Sequence, residues 1–153
     1  NFGFGGDRRS LFLGSNAKMS EYGAAVALAA FDGAEDEMTQ WEEANSVARK
    51  VSVELNIAPP SMVLNALSPY WIADFGEAHI RDRVQDHLEK SQVETRVWWT
   101  SCSQMKAYKD LPQGQLSNSK RLQATTLGLP MSRLLTSGEA DYIHSVLSEI
   151  LGG

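Results

Sequence analysis

The sequence predicts an α/β chain of the small α+β kind, with a long helical segment followed by a small sheet backed by helices. Three observations predict it. From Met19 to about Asn56, apolar residues recur mostly at spacings of three and four, the period of one helix face. Two stretches rich in aromatic and β-branched residues, Leu67–Phe75 and Gln92–Thr100, flank an amphipathic segment, giving the order strand, helix, strand. Near the end, Thr136 and Glu139 stand at capping-box spacing before a last periodic run.

The first helical segment carries Met19, Tyr22, Val26 and Ala29, then Met38, Trp41, Ala44, Ala48, Val51 and Leu55. Asp32-Gly33 interrupts it, and a glycine inside a helix costs about 1 kcal/mol relative to alanine. Two helices, or one kinked at Gly33, are expected. Ala58-Pro59-Pro60 ends the segment, because proline has no N–H and disfavours the α region for the residue before it. In Leu67–Phe75, Pro69 must lie at the start of the strand or on an edge, and Gly76 closes it. Ala78 to Lys90 places Ile80, Val84 and Leu88 on one helical face. Gln92–Thr100, with Val93, Thr95, Val97, Trp98 and Trp99, is the second strand candidate.

Ser101 to Gln115 is irregular and contains the turn former Asp110-Leu111-Pro112-Gln113-Gly114. Ser117-Asn118-Ser119 can cap a helix through Lys120–Ala124, after which Leu127-Gly128-Leu129-Pro130 is expected to be extended. The final helix carries Ile143, Val146, Leu147 and Ile150 on one face, and Gly152-Gly153 would end it.

The 153 residues suit one ordinary domain better than two. Fourteen basic and nineteen acidic residues are mixed along the chain for a net charge of −5, which argues against a nucleic-acid partner. The longest apolar run, Gly23 to Phe31, is about half of the roughly 20 residues needed to cross a bilayer, so no membrane partner is expected. Cys102 is the only cysteine, which excludes an internal disulfide and a multi-cysteine metal site. With no signal-peptide pattern, a cytoplasmic location is expected. The chain opens on Asn1-Phe2-Gly3-Phe4-Gly5-Gly6, which points to a fragment or processed product.

Asn16 is the foremost site candidate. Its amide can donate to a phosphate oxygen, and backbone N–H groups at a helix entrance favour an anion. The plainer alternative is that Ser15, Asn16 or Ser20 caps the helix. Lys18 has the amine that a cofactor-linking lysine needs, but beside a helix start it reads as a solvated or interfacial charge. Asn1–Gly6 lacks the Gly-Lys-Ser/Thr ending of a phosphate-binding loop. His79, His87 and His144 have no partner at metal-ligand spacing, so no metal site is expected. Cys102 has no nucleophile motif around it. Trp98, Trp99 and Tyr108 flank a loop where rings can stack on a sugar or base, although adjacent strand residues face opposite sides and one tryptophan is expected in the core.

In order along the chain, Asn1-Phe2-Gly3-Phe4, Asn16-Ala17-Lys18-Met19-Ser20-Glu21 with Ala24-Ala25, Thr95-Arg96-Val97-Trp98-Trp99, Gln104-Met105-Lys106-Ala107-Tyr108 and Leu127-Gly128-Leu129-Pro130-Met131 followed by Leu135-Thr136 resemble the DegT/DnrJ/StrS family of pyridoxal-phosphate-dependent sugar aminotransferases. The resemblance implies the C-terminal part of a fold-type-I aminotransferase. Residues 1–19 would then form an interface loop reaching the partner subunit, 20–56 a helical bridge, and 57–153 a small C-terminal α/β domain. It implies that Asn16 reaches the phosphate of pyridoxal 5'-phosphate held by a second copy of the chain, and that Trp99 and Tyr108 border a nucleotide-linked keto-sugar. No catalytic residue is assigned within the chain, because the family's cofactor-bearing lysine lies upstream, in a large N-terminal domain. Gly23 stands where relatives often carry His, and Ser103 where some place His near the substrate. The competing expectation is a non-catalytic interaction or dimerisation module that binds through the helices between Ser20 and Asn56.

Overall fold

The computed structural model describes residues 6, 9, 11–15, 18–58, 67–98, 100–108 and 110–152. They fall into two compact units, Asn1–Glu37 and Met38–Gly153. In the first unit, α1 (Glu21–Asp32) starts at Ser20, whose Oγ accepts the Gly23 N–H at 3.1 Å. It ends at Gly33, where the sequence predicts an interruption. No residue of α1 is buried; Tyr22 and Phe31 are 81% and 79% exposed. The next helix, α2 (Ala34–Glu54), runs on into the second unit, where Ala44, Ala48, Val51 and Ser52 are buried on one face.

The α2 helix ends without glycine. The Ile57 N–H bonds to the Ser52 carbonyl at 2.9 Å and the Asn56 N–H to Val53 at 3.2 Å, with Asn56 at φ 54°. This is the paired bonding of a Schellman motif, with asparagine tolerating the left-handed position. The Ile57 carbonyl then accepts the Asp74 N–H at 2.8 Å, which fixes the end of α2 to the sheet.

The sheet has two antiparallel strands among the described residues, β1 (Trp71–Asp74) and β2 (Thr126–Leu129), in the register Trp71↔Leu129 to Asp74↔Thr126. Pro69 lies before β1, and Gly76, at φ +76°, ends the extended stretch. Between the strands come α3 (Ala78–Lys90), a 3-10 turn at Cys102–Gln104 and α4 (Ser117–Thr125); α5 (Ser137–Leu151) follows β2. All four residues of β2 are buried. Val84 and Leu88 of α3, Ala140, Ile143, Val146 and Leu147 of α5, and Ala48 and Val51 of α2 complete one core with Trp71, Ala73, Leu127 and Leu129.

Two expectations are corrected. Gln92–Thr100 is not a full strand: its described residues meet the sheet through one antiparallel bridge, Arg96↔Gly128, closed by N–H···O bonds of 2.9 and 2.8 Å. The strand beside β1 is instead the short 126–129 segment, whose pairing depends on residues more than fifty positions away. Ser117-Asn118-Ser119 does not cap α4, which already begins at Ser117 after Leu116 and has no side-chain cap bond. The capping box is realised in full: Thr136 Oγ1 accepts the Glu139 N–H at 3.2 Å, and Glu139 Oε2 accepts the Thr136 N–H at 2.9 Å.

Candidate functional site

Asn16 and Trp99 lie outside the described residues. The helix that follows Asn16 begins at Glu21 and is capped by Ser20, so the entrance of α1 does not need the Asn16 amide as its cap. The described residues on either side of it, Leu11–Ser15 and Lys18–Ser20, are exposed. The described lysines, 18, 50, 90, 106 and 120, are all exposed.

Tyr108 lies in a turn closed by its N–H to Met105 at 2.9 Å and is 47% exposed. Among the described residues, no hydrogen bond or ring contact joins it to Trp98. Of the three predicted site residues, Tyr108 alone lies among the described residues.

The structure gathers a group that the sequence reading left apart. Trp98 packs edge-on to Tyr70, with ring centroids 4.9 Å apart and planes at 87°. Trp98 also lies close over Gly128, where a Cβ would stand 3.2 Å from the Arg96 carbonyl oxygen and 3.3 Å from Trp98 Nε1. Trp98 Nε1 is buried without a hydrogen-bond partner among the described residues. These residues border a cleft of about 360 Å³, with Glu94, Arg96 and Met131 among the other walls. Tyr70 was legible only as part of an aromatic run, and Met131 only as part of a motif; nothing in their spacing signals that they meet.

Several charged groups outside the cleft form ion pairs between elements. Asp74, at the end of β1, accepts from Arg121 Nη1 at 2.9 Å and from the Gly76 N–H at 3.0 Å. Burial pushes this carboxyl up, but hydrogen bonds from Thr125, Arg121 and Gly76 and the Arg121 charge outweigh it and hold the group below its ordinary value. His87 and Glu149 pair at 3.2 Å between α3 and α5, and His144 and Glu54 at 3.7 Å between α5 and α2. No cluster of three or more His, Cys, Asp or Glu that could hold a metal exists among the described residues. Cys102 is free and exposed. No described helix is long and apolar enough to cross a membrane.

A model of the DegT/DnrJ/EryC1/StrS aminotransferase family matches residues 1–148. The chain belongs to this family. Pyridoxal phosphate is accordingly the expected cofactor. The fold is similar to that of a Bacillus cereus protein described as a PLP-dependent aminotransferase, at TM-score 0.75 and 20% identity, covering 96% of this chain and 41% of that one. It is also similar to a DegT DnrJ EryC1 StrS aminotransferase of Brucella abortus, at TM-score 0.74 and 22% identity, covering 99% and 41%. A third likeness is to Helicobacter pylori PseC, an aminotransferase involved in pseudoaminic acid biosynthesis, at TM-score 0.70 and 16% identity, covering 94% and 40%. This family segment thus spans about two fifths of the length of those solved relatives. No curated protein matches the chain in sequence.

Proposed function

We propose that the chain is the C-terminal portion of a pyridoxal-phosphate-dependent aminotransferase that moves an amino group from an amino acid to a nucleotide-linked keto-sugar in the cytoplasm. The observation that carries this reading is the family match over residues 1–148, by a chain that spans about two fifths of its solved relatives. In this reading residues 1–19 form the loop that reaches a second copy, 20–56 the bridge and 57–153 the small domain. The cofactor, when bound, supplies the electron sink for amino-group exchange. This chain's own part is to bind and orient: the Asn16 amide donates to the cofactor phosphate in the partner's site, and Trp99 and Tyr108 border the sugar. The cofactor-bearing lysine belongs to a large domain outside these residues, so the 153-residue chain alone does not transaminate.

The exposed apolar surface of α1 supports a covered role. An alanine-rich helix bearing Tyr22, Val26, Leu28 and Phe31, each more than half exposed, is hydrophobic all round and needs a neighbour. In this reading the second copy and the large domain cover it.

The test is made on the complete polypeptide carrying this segment. It should show the absorbance of a lysine-bound cofactor, abolished by borohydride, and Asn16→Ala should weaken cofactor binding about tenfold, the loss of one charge-assisted hydrogen bond. A polypeptide with no cofactor absorbance and no suitable lysine would overturn the enzyme reading and leave the interaction module in its place.

A further inference from the structure

We infer that Asn45 is a positioning residue for the segment carrying Trp98 and Trp99, acting through Ser68 and Tyr70; this rests on the reading above, in which Trp99 borders the sugar. Residues 67–70, which lead into β1, belong to no helix or strand, and among the described residues no backbone–backbone hydrogen bond holds them. Side chains hold them instead. The Asn45 amide on α2 donates to the Ser68 carbonyl at 3.0 Å and accepts the Ser68 N–H at 3.1 Å, while Nδ2 also donates to the Trp41 carbonyl at 2.8 Å. Ser68 Oγ then donates to the Tyr70 carbonyl at 2.8 Å and accepts the Tyr70 N–H at 3.1 Å. The Tyr70 ring meets Trp98 edge-on, with centroids 4.9 Å apart, an orientation that aromatic quadrupoles favour.

Each link fixes an orientation as well as a distance. An amide paired with both the N–H and the carbonyl of one residue has one way round, because turning it over would set donor against donor and acceptor against acceptor. The Ser68 hydroxyl repeats that pairing on Tyr70 and leaves its backbone little freedom. Tyr70 is 57% exposed, so packing does little to set its angle and the clamp decides it. What the tether fastens is therefore an exposed ring that braces Trp98, and not a core side chain. Trp98 is in turn held at two points: its ring by Tyr70, and the backbone two residues earlier, where Arg96 bonds both ways to Gly128. A misplacement of about 1 Å arising far from the chemistry can cost roughly 10²-fold in rate, so an amide on α2 can act on the acceptor without touching it.

The experiment uses the complete cofactor-loaded enzyme, with L-glutamate as amino donor and 4-keto-6-deoxyglucose linked to uridine diphosphate or thymidine diphosphate as acceptor. The variants are Asn45→Asp, which keeps the size and the acceptor for the Ser68 N–H but loses the N–H donors, Ser68→Ala, Tyr70→Ala and the double variant Asn45→Asp with Tyr70→Ala. Asn45→Asp should raise the acceptor KM about tenfold and Ser68→Ala about threefold, with kcat and the glutamate KM within about twofold of the unmutated enzyme. Once Tyr70→Ala has cut the relay, adding Asn45→Asp should change the acceptor KM by less than about twofold. The near-UV circular dichroism that Trp98→Phe removes should also be lost in Asn45→Asp. An unchanged acceptor KM in both Asn45→Asp and Ser68→Ala overturns the positioning role, and so do independent effects in the double variant. Equal losses toward glutamate and acceptor mark a purely structural tether and overturn it as well. If the unmutated enzyme takes glutamate but neither acceptor, the sugar reading fails, and the Trp98 signal alone then decides the relay: its survival in Asn45→Asp overturns that too.

Discussion

Ser52 joins two elements through one hydroxyl. Its Oγ accepts the Trp71 Nε1–H at 2.8 Å and donates to the Ala48 carbonyl at 2.9 Å, all within the buried core. Removing the hydroxyl leaves the indole N–H buried without a partner, a loss of about 1–3 kcal/mol. Ser52→Ala should lower stability by that amount in urea titration, with the midpoint moving and the slope unchanged. Asp74 provides a pH signature. Its folded carboxyl sits below the ordinary value, so its contribution is present above the unfolded value of about 4 and is lost as pH falls through the folded one. Asp74→Asn should cost about 1–3 kcal/mol near neutrality, at the lower end because Arg121 is 42% exposed and can regain water. The gap between the two proteins should close as the pH is lowered below about 4 in thermal melts. Neither partnership was readable from the sequence, because both join residues at least 19 positions apart.

At the scale of elements, local signals served where the residue itself carries the geometry. Thr136 and Glu139 make their box because both halves lie within one turn, and Glu139 is held below its ordinary value by the Thr136 backbone N–H and then its hydroxyl. The span Ala78–Lys90 agrees with its apolar spacing to the residue. How the chain closes α3 was not legible. Gln92 takes φ 60°, and the Val93 N–H bonds to Leu88 at 2.9 Å with the Gln92 N–H to Glu89 at 3.0 Å, a Schellman closure without glycine. A left-handed L-residue costs about 1–2 kcal/mol, partly offset by the greater chain entropy glycine would lose. Gln92→Gly should therefore raise stability by about 0.5–1 kcal/mol, read as a higher midpoint in thermal denaturation. The 92–100 segment misled for a related reason. β-Branched and aromatic composition reports a fit to a pleated, half-buried surface, whereas a strand also needs a neighbour in register, and here that neighbour meets the described segment at Arg96 alone.

Across the whole molecule, every buried apolar residue of the described chain lies at or beyond Ala44, in the unit Met38–Gly153. That unit should melt cooperatively when expressed without residues 1–37. The longer chain, which carries the exposed apolar α1, should self-associate: its elution volume on size exclusion should fall with concentration, and that of residues 38–153 should not. Equal elution behaviour of the two would show that α1 does not need covering. The amino-acid sequence by itself determined the class, the helices, the capping box of α5 and the order of motifs that marks the family, because periodicity, turn chemistry and motif order are properties of neighbours along the chain. The tertiary structure alone decided which short segment pairs with β1, that Gly128 makes room for Trp98, and that Tyr70, Glu94, Arg96 and Met131 share one cleft. Those outcomes depend on which distant surfaces exclude water together, and packing of that kind leaves no periodic trace in the chain.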